Sequence, residues 1–359
     1  MLSVNQYFLD ESISHQVDLR RYEAGLIQRM VATLNRSDSR LFAELTNALQ
    51  RLDPGSFTMK RLEAMLANVR GINTQAYAAL TATLETELKA FVAYELAYQS
   101  ALFAPFVAVQ VSFAAITAEQ VYAAAMARPF QGGLLKGFLS EIEASKAKRI
   151  RQAVAQGFVE SKTTDQIVRE LRGTRAKGYA DGLLEITRRD AQAVVRTALS
   201  HMAGFVQDRV TESNKGIIKA VIWHSTLDTR TSAPCIARDL KQYTPDTHKP
   251  MGHSLPWGAG PGRFHWWCRS AQAYVLKSNK ELGIDAPDVV MTDGTRASMD
   301  GQVPKETSYA DWISKQSAAR QDQVLGVTRG KMLRNGDLTV AKMFDAKGKL
   351  FTLEELAKQ

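Results

Sequence analysis

The chain has 359 residues, 45% of them hydrophobic, with two cysteines, six histidines and a formal net charge of +9. That length exceeds what one hydrophobic core usually serves, so two or three subdomains are expected, and two cysteines exclude the disulfide-rich scaffold of small secreted domains. The first eleven residues carry no basic stretch followed by an apolar core, so no signal peptide is expected.

The first third reads as helices. Leu26, Ile27, Met30, Val31 and Leu34 share one helical face, and Phe42, Leu45, Leu49 and Leu52 share another before Asp53-Pro-Gly-Ser breaks the pattern. A further helix carries Leu62, Met65, Leu66 and Val69; after Gly71 a longer one carries Tyr77, Leu80, Leu84, Leu88 and Phe91. Such stripes are core or helix-partner seams rather than cofactor boxes. The stretch from Leu96 to Ala118 has no charged residue and is long enough to span a bilayer. Gln99, Pro105 and Gln110 dilute it, and Val107 to Phe113 alternates like a half-buried strand, so buried core is expected, with membrane insertion through 96–118 as the alternative.

From about 130 to 210 the chain is helical again. Ile150, Val154 and Phe158 share a face, and Thr163 to Gln166 has the form of a capping box opening a helix through Ile167, Val168 and Leu171. Thr187 to Asp190 is expected to start the next helix, running through Val194, Val195 and Leu199, in which Arg196 would be a buried guanidinium donating to loop carbonyls. After Gly216 the apolar, β-branched run Ile217 to Trp223 reads as a strand that delivers Asp228 and Arg230 to an irregular loop, and Ala271 to Leu276 as a second strand pairing with it. Asp228 would pair with Arg230 or orient His265. Leu282 to Lys305 reads as a loose linker; Ser308 begins a helix with Trp312 and Ile313 inward, closed by Gly326. Leu338 to Leu350 resembles a hairpin around Asp345 to Gly348, followed by a capping box at Thr352 and Glu355.

The irregular loop is where chemistry concentrates. Between Trp223 and Ser270 lie both cysteines, Cys235 and Cys268, and four of the six histidines, His224, His248, His253 and His265. A His-x-x-Cys pair returning thirty residues after a lone cysteine follows neither helix nor strand periodicity. Three chemistries fit the spacing: a zinc held by Cys235, His265 and Cys268, with His253, His248 or His224 as the fourth ligand; a Cys235 nucleophile with His265 as base, for which no third orienting group stands out; or two small buried side chains pinning a loop. The segment is also basic. Arg230, Arg238, Lys241, Lys249, Arg263 and Arg269 are interleaved with Tyr243, Trp257, Phe264, Trp266, Trp267 and Tyr274, a pattern that suits either a phosphate backbone with stacking platforms for bases or a solvated surface beside an aromatic cluster. There is no Walker loop, dinucleotide fingerprint, His-Glu-x-x-His or paired acidic motif.

Asp228-x-Arg-Thr-x-x-x-Cys235, a Pro/Gly-rich stretch and His265-x-x-Cys268-Arg269 together resemble the signature of the Mu-F-like minor head proteins, or head morphogenesis proteins, of tailed bacteriophages. Arg128-Pro-Phe, Arg149-Ile-Arg, Gly157, Arg172-Gly-Thr and Arg188 to Thr197 resemble the helical half of that family's domain. Tyr309-Ala-Asp-Trp312, Gln316, Gln321 to Gly326 and Phe344 to Leu356 resemble its tail, so the likeness covers roughly 120 to 359. In the family a second cysteine commonly precedes the first by three residues, and another follows the last by two. Here those positions are Ser232 and Ser270, which excludes a four-sulfur site and weakens any metal reading.

Pattern and resemblance together predict a mostly α, α+β fold: a helical N-terminal arm over 1–120, a helical core region over 121–215, a small sheet with the Cys/His loop over 216–280, and a linker, helix and hairpin-helix over 281–359. The resemblance implies a structural minor capsid protein, not an enzyme and without a required cofactor. It would assist prohead assembly near the portal, in the host cytoplasm and then in the head interior, touching portal or major capsid protein with the arm. Packaged double-stranded DNA would be contacted without sequence preference through Arg230, Arg238, Lys241, Lys249, Arg263 and Arg269, ejection with the genome being one variant. The alternative is an enzyme using the Cys235/His265 pair, hydrolase or toxin-like transferase.

Overall fold

A computed structural model describes residues 4–51, 58–103, 117–285 and 294–358. The break expected at Asp53 and the strand expected over Val107 to Phe113 lie outside the described residues. The described chain is a mostly α, α+β protein, with helices α1 (Val4–Gln50), α2 (Met59–Met65), α3 (Ala67–Phe103), α4 (Ala118–Met126), α5 (Leu135–Val159), α6 (Thr164–Arg172) and α7 (Glu185–Ser213) preceding the first strand. None of the described helices is long and apolar enough to cross a membrane.

The two apolar faces expected before residue 52 belong to one continuous helix. In α1, Leu26, Met30, Leu34, Leu41, Leu45 and Leu49 are buried, at four-residue steps with one step of seven, which Asp38 divides, keeping one stripe in register over many turns. Gly71 does not precede a helix but lies inside α3, where a Cβ would meet nothing; the stripe Tyr77, Leu80, Leu84, Leu88 and Phe91 is buried as expected. Helix α6 opens on the expected capping box, Thr163 accepting from the Gln166 N–H while the Gln166 side chain accepts from the Thr163 N–H. Thr187 forms no such box. It lies within α7, its hydroxyl donating to the Leu184 carbonyl at 2.7 Å. Arg196 ion-pairs with Glu23.

Two compact units form, one from 1–20, 92–125 and 200–359, the other from 21–91 and 126–199, with boundaries inside α1, α3, α4 and α7. The second unit is helical. Its core joins Leu41, Leu45 and Leu49 to Leu62, Leu66, Val69, Ile150, Val154, Ile167 and Leu171, and it buries Asp38 between Lys146 (2.5 Å) and Arg188 (2.8 Å).

The first unit carries the sheet. Strand β1 (Ile218–His224) lies between β4 (Ala271–Leu276) and β2 (Gln242–Tyr243), with β3 (Pro250–Met251) outermost; every pairing is antiparallel. The β1–β4 pair is the one expected. In it His224 faces Ala271, so the chain leaving β1 and the chain entering β4 emerge side by side. The expected linker contains a hairpin, β5 (Thr295–Ser298) and β6 (Gly301–Pro304), placing Arg296 in the interior. The helix from Ser308 ends at Ser314, and α10 (Ala318–Leu325) is the one that stops at Gly326, before α11 (Val327–Asn335). Tyr309, Trp312, Ile313, Leu325 and Met343 form a core with Leu227 and Ile236. The hairpin expected near the end is a 3₁₀ turn over Val340–Met343 and a single bridge from Phe344 to Leu350, before α12 (Leu353–Leu356) opens on the expected Thr352 capping box. At the other end of this unit, Tyr274 donates to Gln99 at 2.8 Å, Gln99 to Glu95 at 2.7 Å, and Glu95 meets His15 at 2.7 Å, so part of the charge-free stretch is polar core.

Candidate metal centre

Cys235 sits on the short helix α8 (Ala233–Arg238), which Pro234 helps to start, and Cys268 lies three residues before β4. Because His224 and Ala271 are register partners, the loop after β1 folds back over the entry to β4 and brings the two sulfurs to 3.8 Å. The Cys235 sulfur lies 3.4 Å from His265 Nε2, and the Ser232 hydroxyl 2.7 Å from that nitrogen. Cys235, His265 and Cys268 therefore form a group whose donor atoms all lie within 4.8 Å of one another and could hold a metal ion. This clustering was legible from the two strands expected on either side of the loop.

The His265 ring is oriented by its other nitrogen, Nδ1, which meets the Trp266 carbonyl at 2.7 Å. With the proton on Nδ1, Nε2 presents a lone pair to the sulfurs, the tautomer a metal ligand needs. The tight His265 to Cys268 turn, closed by the Cys268 N–H on the His265 carbonyl at 3.1 Å, forces Trp267 into the left-handed region at φ 66°. A thiol hydrogen bond from Cys235 holds Cys268 well below the usual cysteine range, assisted by His265, and correspondingly holds Cys235 well above it. The Cys268 sulfur in turn raises His265. The Ser232 and Ser270 hydroxyls both reach Cys235, so the two positions where the resemblance expects further sulfurs do flank the cluster.

None of the three histidines expected as fourth ligand joins the group. His253 spends Nε2 on the Gln242 carbonyl (2.9 Å) and Nδ1 on the Leu255 N–H (3.2 Å), which pins the β2–β3 edge instead. His248 stacks on Trp257 with centroids 4.5 Å apart. His224 is buried at the end of β1, where burial and then Arg296 hold its pKa well below the ordinary value.

The basic residues divide differently from the expected phosphate-binding set. Arg238 is buried and donates to the carbonyls of Pro256 (2.9 Å), Pro234 (2.8 Å) and Lys347 (2.8 Å), its guanidinium 4.6 Å from the Phe264 ring. It plays the part expected of Arg196. Gly348 (φ 80°) is required beside it, since a Cβ would lie 2.5 Å from Arg238 Nη1. Arg263 is buried on Asp208 at 2.5 Å. Arg269 donates two hydrogen bonds to Asp228, the second at 2.8 Å. Arg230 and Lys249 are exposed and Lys241 is half-buried. Tyr243, Trp257 and Tyr274 are core residues, not stacking platforms, whereas Trp267 is exposed.

Asp228 neither pairs with the Arg230 side chain nor reaches His265. It accepts the Arg230 backbone N–H (2.9 Å) and the Thr231 hydroxyl (3.1 Å) besides Arg269, while its carbonyl takes the Tyr309 hydroxyl at 2.6 Å. Burial would raise its pKa, but the Arg269 hydrogen bonds and charge outweigh it and hold the carboxyl below the usual range. A carboxyl depressed on folding contributes stability above its unfolded pKa of about 3.9 that is lost as pH falls through the folded value. Asp228→Asn is therefore expected to cost about 1–2 kcal/mol at pH 7 and progressively less as pH falls through the folded-state value, checked by urea unfolding over an acid pH series.

The buried pair of Asp239 and Arg296 was not foreseen. Asp239 accepts the Ser225 N–H (2.8 Å), the Tyr309 N–H (2.7 Å) and two bonds from Arg296 (3.0 Å each); Arg296 also donates to the carbonyls of Ser225 (2.6 Å) and Thr307 (2.8 Å). This pair ties the loop after β1, the end of α8, the β5–β6 hairpin and α9 (Tyr309–Ser314) to one point. Compared with known proteins, the chain matches no family model, no curated protein and no solved structure.

Proposed function

We propose that the chain is a structural minor head protein of a tailed bacteriophage, acting in prohead assembly near the portal, with a zinc-stabilised loop at its centre. The observation that carries this reading is the way the motif residues are spent. Asp228, Arg269 and Tyr309 bond to one another, Gly348 makes room for the buried Arg238 and its bond to the Lys347 carbonyl, and both cysteine sulfurs are buried. A thiol nucleophile works as thiolate within reach of substrate. Here both cysteines are buried, which favours scaffolding over catalysis.

Zinc fits the donor set. Two sulfurs at about 2.3 Å from a tetrahedral ion lie about 3.8 Å apart, and sulfur and imidazole nitrogen about 3.6 Å apart; the distances here are 3.8 and 3.4 Å. Cys235, His265 and Cys268 would supply three ligands, leaving the fourth to the Ser232 side or to water. The ion would hold the loop closed.

DNA contact would rest on Arg230, Lys241, Lys249 and Trp267 rather than on the whole basic set. The test measures duplex binding by the full chain over a salt series, with co-sedimentation on portal-containing proheads. Binding is expected to weaken steeply with salt, and replacing Arg230, Lys241 and Lys249 by Ala should flatten the log–log slope by about 0.9 per phosphate contact removed. Failure to sediment with proheads would overturn the assembly role; salt-independent or absent DNA binding would overturn the DNA contact.

A further inference from the structure

The helical unit built from 21–91 and 126–199 contains a cleft of about 340 Å³ between the region around α2 and α3 and the middle of α5. This size is within the range of small-ligand sites. Its floor is apolar, formed by Leu66, Val69 and Ile150, which also belong to the core beneath. In its wall stands Asn73, only 1% exposed. Its amide nitrogen donates to the Glu143 carbonyl at 3.2 Å, so the orientation of the amide is set, and Oδ1 is a buried acceptor with no donor among the described residues. A buried acceptor left without a donor is costly, and a ligand N–H or O–H would remove that cost. The rim is cationic. Glu63 is shared by Arg70 and Arg151, each at 2.6 Å, and Lys148 is exposed with no ion pair among the described residues, leaving three rim cations to one rim carboxylate.

An occupant must bring three things at once: an apolar body for the floor, a donor for Asn73 Oδ1, and a negative charge for the rim. An internal acidic residue of a peptide offers the charge only on the side chain that the apolar floor would have to take. The last residue of a polypeptide offers all three separately, in side chain, backbone N–H and terminal carboxylate. We propose that this cleft captures the C-terminal end of a partner polypeptide that finishes on an apolar residue, with the side chain on Leu66, Val69 and Ile150, the N–H on Asn73, and the carboxylate on Lys148 and Arg151.

The probe is a tetrapeptide of glycine, serine, glycine and leucine, acetylated and with a free carboxyl end, titrated into the full chain by calorimetry and by methyl resonance shifts of Leu66, Val69 and Ile150. Saturable one-to-one binding with Kd of about 1 mM or tighter is expected. The same peptide with an amidated end should bind about tenfold more weakly, as should the unmodified peptide to Lys148→Glu, an exposed change that leaves the fold intact. Asn73→Leu should weaken binding by a similar factor. Absence of saturation, equal binding of acid and amide, or unaltered binding by Lys148→Glu would each overturn the proposal. N-acetyl-leucine shares the chemistry. If it binds and the tetrapeptide does not, the cleft serves a small acylated amino acid and the polypeptide assignment falls.

Discussion

Replacing Arg296 by Met is expected to lower the unfolding free energy by about 3–5 kcal/mol, because it leaves the Asp239 carboxylate buried without its counter-charge. Both side chains are essentially inaccessible, at 0% and 1%. Four backbone groups that would otherwise be buried unpaired depend on the pair: the N–H groups of Ser225 and Tyr309 and the carbonyls of Ser225 and Thr307. Asp239→Asn should cost less than Asp239→Ala, since an amide oxygen still accepts one N–H. Urea unfolding of Arg296→Met, Asp239→Asn and the double variant closes the cycle, and a coupling energy above about 1 kcal/mol is expected for charges in direct contact. A loss under about 1 kcal/mol for Arg296→Met would show the pair to be replaceable.

The second large effect is expected from the sulfur cluster. Protein purified without chelator should carry one zinc per chain. Cys268→Ser should abolish it and cost about 5 kcal/mol or more, because metal-binding free energy is available only to the folded loop. His253→Ala should retain the metal, as both its ring nitrogens are engaged elsewhere. Metal loss should accompany acidification, since the thiolates and imidazole must give up the ion to take protons; for Cys235, held as a thiol, the proton must leave when metal binds. Elemental analysis against protein concentration, with thermal unfolding before and after chelation, decides it. Protein free of zinc whose melting temperature ignores chelator would reduce the cluster to a pair of packed thiols.

What could be read from the chain alone follows the range of the physics involved. Capping boxes at Thr163 and Thr352 are local, and both formed as written. The β1–β4 pair and the meeting of Cys235 with His265 and Cys268 were legible because flanking strands leave the loop few ways to close. The same loop misled over the fourth ligand. Spacing admits His253, but whether an imidazole faces the sulfurs or the β2 carbonyl at Gln242 depends on the turn between. Charge by composition misled most. Arg238, Arg263 and Arg296 count as surface cations in any sequence tally, yet each is buried against acceptors brought from far along the chain. Asp239 is invisible in the same way, since its partner is 57 residues away. The division into units could not be read either, because its boundaries fall inside helices, where neither glycine nor proline nor a change of composition marks them.

The pairing of the start of α1 with β4 has a consequence for synthesis on the ribosome. Phe8 is buried against Tyr274, with ring centroids 5.7 Å apart, and Asn5 accepts from the Leu276 N–H across a separation of 271 residues. At roughly 5–20 residues per second, the beginning of α1 waits roughly 15–50 s for these partners to be made. During that interval Phe8 can pack on Phe103, 4.9 Å away between ring centroids, but lacks its contact with Tyr274. The emerging segment is thus a natural client for a holding chaperone, and slowing translation downstream of α7 should depress soluble yield more than the same delay placed after residue 276.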